Sequence, residues 1–133
     1  MFEKGRVYVR KDLHDQYGGQ VQGGISTPSK YPIILIFAGQ QGKQYGYLDG
    51  WAGEGLYLYT GEGQTGDMEF SRGNRAIRDH VANGEELHLF ESAGPGSVRY
   101  RGQMVCTGYE WKKAPDSTGQ TRRAIVFHLR RSD

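Results

Sequence analysis

The chain has 133 residues, 36% of them hydrophobic and 24% charged, with 21 glycines, 9 tyrosines and a formal net charge of +2. This length fits one domain spanning residues 1–133, and balanced charge with plentiful aromatics excludes a disordered chain. The lone Cys106 excludes a disulfide framework, and the longest apolar run, Tyr31–Ala38, is too short to span a bilayer.

The N-terminal "MFEKGRVYVRKDLHDQ" has no apolar stretch of the signal-peptide kind, so an intracellular protein is expected. Within it Gly5–Lys11 alternates and predicts a strand. Residues 12–17 predict a short helical turn, opened by Asp12 and stopped at Gly18. "QVQGGISTPSKYP" reads as loop, punctuated by Gly23, Gly24, Pro28 and Pro32. "IILIFAG" is a continuous apolar run, as expected for a central strand, and "GLYLYTG" (Gly55–Gly61) predicts another. The main helix is expected at about 74–83, capped by Asn74 and ended by Gly84, with Ala76, Ile77, His80 and Val81 on one face. Three strands follow, "EELHLFE", "SVRYRGQMVCTGYEWKK" and "TRRAIVFHLR", the last two joined by the turn "APDSTGQ". Six or more strands with one main helix and no βαβ alternation predict a mainly β (α+β) fold, a curled or closed sheet with a helix packed on it.

The stretch Tyr45–Asp67, "YGYLDGWAGEGLYLYTGEGQTGD", holds Tyr45, Tyr47, Trp51, Tyr57 and Tyr59 among seven glycines and no basic residue. From Ser97 onward the chain instead carries eight Arg and Lys against three acids. An acidic, aromatic centre flanked by basic strands suits a protein that grips a polyanion outside and reads something neutral inside. A cytosine drawn out of a duplex loses its stacking, so its site needs a π surface on each side of the ring. Its N4 amino group needs an acceptor such as an ionised Asp, and its other edge atoms need a close backbone, which requires Gly. Tyr47 and Tyr59, with Asp49 beside Gly46 and Gly50, supply these parts. Tyrosines lining a barrel core or a protein interface are the competing reading, with equal weight on composition alone.

Other chemistries find less support. His14, His80, His88 and His128 form no ligand pair with each other or with Cys106, so no metal and no cofactor is expected. No nucleophile motif is present, and "GEGQTG" lacks the Lys-Ser/Thr ending of a phosphate loop. Asp49, Glu54 and Glu62 could serve a carbohydrate-cleaving enzyme, the least favoured alternative.

The segment "YGYLDGWAGEGLYLYTGEGQTGDMEFSRGNRAIRDH", above all "YTG" with a downstream "NRA", resembles the SET- and RING-associated (SRA) domain. It looks closest to the version that precedes HNH nuclease domains in bacterial modification-dependent restriction enzymes, and the likeness extends from Gly23 to the last strand. The resemblance implies a PUA-like curled β-barrel that flips 5-methylcytosine, or in some members 5-hydroxymethylcytosine, out of double-stranded DNA. It implies two tyrosines sandwiching the base, here Tyr59 at the head of Tyr59-Thr60-Gly61 and Tyr47 twelve residues earlier. The carboxylate departs from the pattern. The family places it three residues after the first tyrosine, where Gly50 stands, whereas Asp49 is two after, so either the turn is tighter or the edge is read differently. Trp51 and Tyr45 are further stacking candidates.

Ser26 and Thr27 match the loop that approaches the DNA backbone in the family, and their hydroxyls suit phosphate contacts. Arg72, Asn74 and Arg75 open the main helix, where N–H groups and the dipole favour an anion. Lys113 and Arg123 are further backbone candidates, and Gln22 or Gln64 could fill the space left by the base. No HNH motif occurs, so the chain is expected to bind and not to cleave. The resemblance further implies a bacterial cytoplasmic setting, an HNH nuclease domain in the same system, no membrane partner and a possible dimer in the full-length enzyme. A PUA-like binder of RNA or modified nucleotides, or a protein-interaction barrel, remain the alternatives.

Overall fold

The computed structural model describes residues 1–39 and 49–132. Among the described residues two eight-residue helices accompany one eight-stranded sheet. The strands are β1 (Val7–Val9), β2 (Ile25–Ser26), β3 (Ile33–Ala38), β4 (Gly50–Trp51), β5 (Leu56–Thr60), β6 (Glu86–Ser92), β7 (Ser97–Pro115) and β8 (Thr121–Arg131). The helices are α1 (Arg10–Tyr17) and α2 (Arg72–Asp79). The strand order is β2-β3-β6-β7-β8-β5-β4, with β1 added to β7. Among the described residues β3 and β6 pair in parallel and the other pairings are antiparallel. The expected mainly β, curled architecture is the one observed.

All six residues of β3 are buried because both faces of the strand are covered. Ile34, Ile36 and Ala38 enter the larger apolar cluster, with Tyr57, Tyr59, Ile77, Met104, Ile125 and Phe127. Ile33, Leu35 and Phe37 enter a second one, with Leu13 of α1, Phe90, Val98 and Tyr100. A strand wetted on neither face has no reason to alternate, which explains the unbroken "IILIFA". The 19-residue β7 does alternate, and it pairs first with β6 and then with β8. Register shifts at Leu89/Phe90 and at Cys106/Gly108 bend the sheet and add to its curl.

Several local expectations need correction. β1 keeps only three residues of the Gly5–Lys11 strand, because α1 already begins at Arg10, before Asp12. Ile25–Ser26, read as loop, is a strand paired with Ile36 and Leu35. α2 starts two residues before Asn74 and ends at Asp79; the chain then runs through hydrogen-bonded turns to Gly84. Asn74 therefore sits inside the helix. It makes no cap because its carboxamide reaches another part of the chain.

The two ends of the curled sheet approach each other without pairing, and α2 fastens them. Gly73 packs on Ile25 of β2, while its N–H donates to Glu62 Oε2 at 3.1 Å, just beyond β5. Asn74 accepts from Glu62 N–H at 2.8 Å and donates to the carbonyls of Glu62 and Glu69 at 2.8 and 3.0 Å. Gly61 permits this, since an added Cβ would lie 2.6 Å from Asn74 Oδ1 and 3.2 Å from the Phe127 ring. "YTG" and "NRA" are thus the two halves of one physical lock.

Candidate nucleic-acid interface

Tyr59 lies near the seam between the sheet ends. Alternation along β5 turns Tyr57 and Tyr59 inward, and Tyr59 is 5% exposed within the larger cluster. Its hydroxyl occupies the space a side chain at Gly24 would need, just before β2. Burial, and the carboxylates of Asp49 and Glu62, push the Tyr59 hydroxyl far above its usual pKa, so it stays neutral. Packing therefore fixes the position of this ring before any ligand arrives.

Asp49 stands one residue before β4, and the β4–β5 register carried one step further sets it opposite Tyr59. Its Oδ1 accepts from Thr60 N–H at 2.9 Å. Burial raises the pKa of this carboxyl, while hydrogen bonds from the Thr60 hydroxyl and N–H oppose that shift. The Tyr57 hydroxyl is close by and is itself raised, by burial first and then by Glu91 and Asp49. The result is a half-desolvated acceptor of fixed orientation beside a buried phenol. It suits a hydrogen-bond donor of a neutral ligand and repels an anion.

Tyr45, Gly46 and Tyr47 lie outside the described residues. Trp51 is held by Tyr57, edge to face at 5.1 Å, by Glu91 Oε1 at 3.3 Å from its Nε1, and by the Arg131 guanidinium at 4.8 Å. Gly61 is buried, and its lack of a side chain allows the close approach of α2. Of the enzyme alternative, Asp49 and Glu62 each already accept a backbone N–H and Glu54 stands in the exposed turn, which gives that chemistry no support.

A second feature is an open depression of about 530 Å³ beside α2, lined by Gln20, Thr27, Arg72, Arg75, Ala76, Asp79, Asn83 and Glu85. It brings Thr27 beside Arg72 and Arg75, joining backbone-contact candidates from two distant parts of the chain. Gln20 fixes Thr27, accepting its N–H at 2.7 Å and donating to its hydroxyl at 3.1 Å. Arg72 has φ 48°, a left-handed conformation that among the described residues no other non-glycine adopts. Two candidates leave this set. Ser26 is fully buried in β2, and Asn74, 1% exposed, has its carboxamide committed to Glu62 and Glu69. Neither can reach a phosphate.

Lys113 and Arg123 face each other across the β7–β8 hairpin, both exposed. Sequence reasoning missed their aromatic neighbours. Arg123 lies 4.4 Å over Trp111, and Phe70 meets Tyr109 and Trp111 edge to face and Phe127 at 6.4 Å. The alternation of Tyr109, Trp111 and Lys113 along one face of β7 was the available signal. Gln22 is exposed two residues before Gly24, whereas Gln64 stands on a loop tied to the hairpin turn through Ser117 N–H, at 2.8 Å. His14, His80 and His88 use both ring nitrogens in hydrogen bonds within the fold. Among the described residues no helix is long and apolar enough to cross a membrane.

The family model of the ScoMcrA-like SRA domain matches residues 4–133. The chain belongs to that family. SRA domains are DNA-reading binding domains. The SRA fold is matched by the sulfur-binding and SRA domains of ScoMcrA complexed with phosphorothioated DNA, at 20% identity and a TM-score of 0.74, covering 98% of this chain and 40% of that one. The Type IV phosphorothioation-dependent restriction endonuclease ScoMcrA matches at 20% identity and 0.72, covering 97% of this chain and 28% of that one. The SUVH5 SRA domain in complex with hemimethylated CG DNA matches at 21% and 0.70, covering 98% and 88%. This SRA domain thus spans less than half of the ScoMcrA chains it matches. No curated protein matches it significantly in sequence.

Proposed function

We propose that this SRA domain binds double-stranded DNA carrying a 5-modified cytosine, 5-methylcytosine or 5-hydroxymethylcytosine, and receives the extruded base against Tyr59 with Asp49 reading its edge. The observation that carries this reading is the Asp49 carboxylate, held at 2.9 Å by Thr60 N–H in register with the buried Tyr59 ring. A half-desolvated acceptor of fixed orientation is what the N4 amino group of a flipped cytosine requires. Tyr47 is the proposed second wall of the stack, with Tyr45, Gly46, Gly50, Thr60 and Gly61 shaping the surround.

Thr27, Arg72 and Arg75 around the depression, with Lys113 and Arg123 on the hairpin, would hold the phosphates and set register without reading sequence. In a cell this would be the reading part of a modification-dependent restriction system, with its HNH nuclease elsewhere in that system.

A second reading comes from the ScoMcrA relatives, one of them described with phosphorothioated DNA. A phosphorothioate is an anion, and an ionised carboxylate at Asp49 would repel it rather than bind it. The base reading is therefore favoured here.

Equilibrium titration of one duplex sequence in five forms separates the two. The forms are unmodified, 5-methylcytosine, 5-hydroxymethylcytosine, phosphorothioated, and single-stranded RNA of the same sequence. Tighter binding of a 5-modified duplex is expected; preference for the phosphorothioate or the RNA, or equal affinity throughout, would overturn the proposal.

A further inference from the structure

The segment that carries Gln22 is tied down at both ends by one pair of side chains. Arg10 and His14 are four residues apart, on one face of α1. Arg10 Nε donates to His14 Nε2 at 3.0 Å, Arg10 Nη2 donates to the Gly23 carbonyl at 2.8 Å, and the guanidinium lies 4.0 Å over the Phe37 ring. Because His14 accepts at Nε2, its proton sits on Nδ1, which donates to the Gly18 carbonyl at 3.1 Å. His14 thus holds the start of the 18–24 segment and Arg10 holds its end.

Between the two ties the chain is permissive. Gly18, Gly19 and Gly23 have φ of 82°, 81° and 83°, and Val21 and Gln22 are exposed. Glycines lose more conformational freedom on ordering than any other residue, so such a segment needs external fixing. The fixing leads to Tyr59. The residue after Gly23 is Gly24, whose carbonyl accepts from Phe37 N–H at 2.7 Å and whose α-carbon abuts the Tyr59 hydroxyl. Burial lowers the pKa of the Arg10 guanidinium, and the neighbouring Tyr59 opposes that shift only in part. A half-buried guanidinium is a costly anchor for a loop that merely closes the fold.

We infer that the Arg10–His14 pair is a positioning device that presents Gln22 beside Tyr59, so that this side chain enters the duplex where the base leaves. This rests on the base-flipping reading, and its test separates the two.

Affinity for the 5-methylcytosine duplex and for its unmodified counterpart is measured for the wild-type domain, Gln22→Ala, Arg10→Lys and the double variant. Lysine keeps the charge but cannot reach His14 and Gly23 together. Gln22→Ala should weaken the modified duplex by about tenfold in the wild-type background and hardly at all once Arg10 is lysine. Amide exchange over residues 19–24 should quicken in Arg10→Lys with no DNA present. Should Arg10→Lys fail to fold, His14→Gln opens the other tie and carries the same cycle. Additive losses, or unchanged exchange over 19–24, would overturn the positioning role while leaving base flipping intact. A wild-type domain without preference for the modified duplex overturns both.

Discussion

Asp49 carries the most pointed chemistry in the molecule. Its pKa is raised on folding, so stability from this group is fully present below its unfolded pKa and is lost as pH rises through the folded value. DNA affinity should move the opposite way, since only the ionised carboxylate accepts from N4 without competition. Over that acidic window the domain should therefore melt at slightly lower temperature as pH rises, yet bind the modified duplex better. Asp49→Asn should flatten both profiles and lower modified-duplex affinity by about tenfold without loss of thermal stability, checked by melting and titration over the same buffers. Gly24 offers a steric counterpart. Gly24→Ala places a methyl where the Tyr59 hydroxyl sits and should cost about 1–3 kcal/mol in denaturant unfolding, and adding Tyr59→Phe should recover most of it. At this scale Tyr59, Asp49 and Thr60 were legible in the sequence because their relation is local, two strands facing across a short turn. Arg10 and His14 were not, since an alternating polar stretch says nothing of partners at Gly18, Gly23 and Phe37.

At the scale of elements, α2 joins a sheet end to the strand that bears Tyr59. Three hydrogen bonds from one buried carboxamide make this joint, so Asn74→Ala should destabilise the fold by about 2–4 kcal/mol in chemical denaturation. Arg75→Ala, one residue on and exposed, should leave unfolding untouched, weaken all duplexes alike and reduce the logarithmic salt slope by about 1. These two neighbours in sequence would then separate into a structural and a DNA-contacting role. The long strands and the existence of both helices could be read from periodicity. The start of α2 and the two-residue β2 could not. Asn74 looks like a cap by residue type, and Ser26 looks like loop by its neighbours, until Glu62, Glu69 and Leu35 are brought to them from elsewhere in the chain.

For the whole molecule, the sequence showed an acidic, aromatic middle and basic flanks, and the fold gives that pattern a geometry. The acids at Asp49 and Glu62 bond backbone N–H groups near the seam, while Arg72, Arg75, Lys113 and Arg123 stay exposed. Replacing Lys113 and Arg123 together by Gln should weaken modified and unmodified duplexes by the same factor and lower the salt slope by about 2, read from titrations at several salt concentrations. The hairpin that carries them has its own staple. Asp116 is held down to about 2 by the Thr118 hydroxyl and by the N–H groups of Gly66, Thr118 and Gln120. Its contribution to stability is thus present above the unfolded carboxylate pKa and lost only as pH falls toward 2.

Extrusion of the base can be watched directly with 2-aminopurine placed next to the modified cytosine, because its emission rises when its neighbour leaves the stack. On saturation with the wild-type domain the fluorescence should rise for the 5-methylcytosine duplex, stay level for the unmodified one, and fail to rise with Tyr59→Ala. Tight binding of the modified duplex with no change in emission would contradict the account.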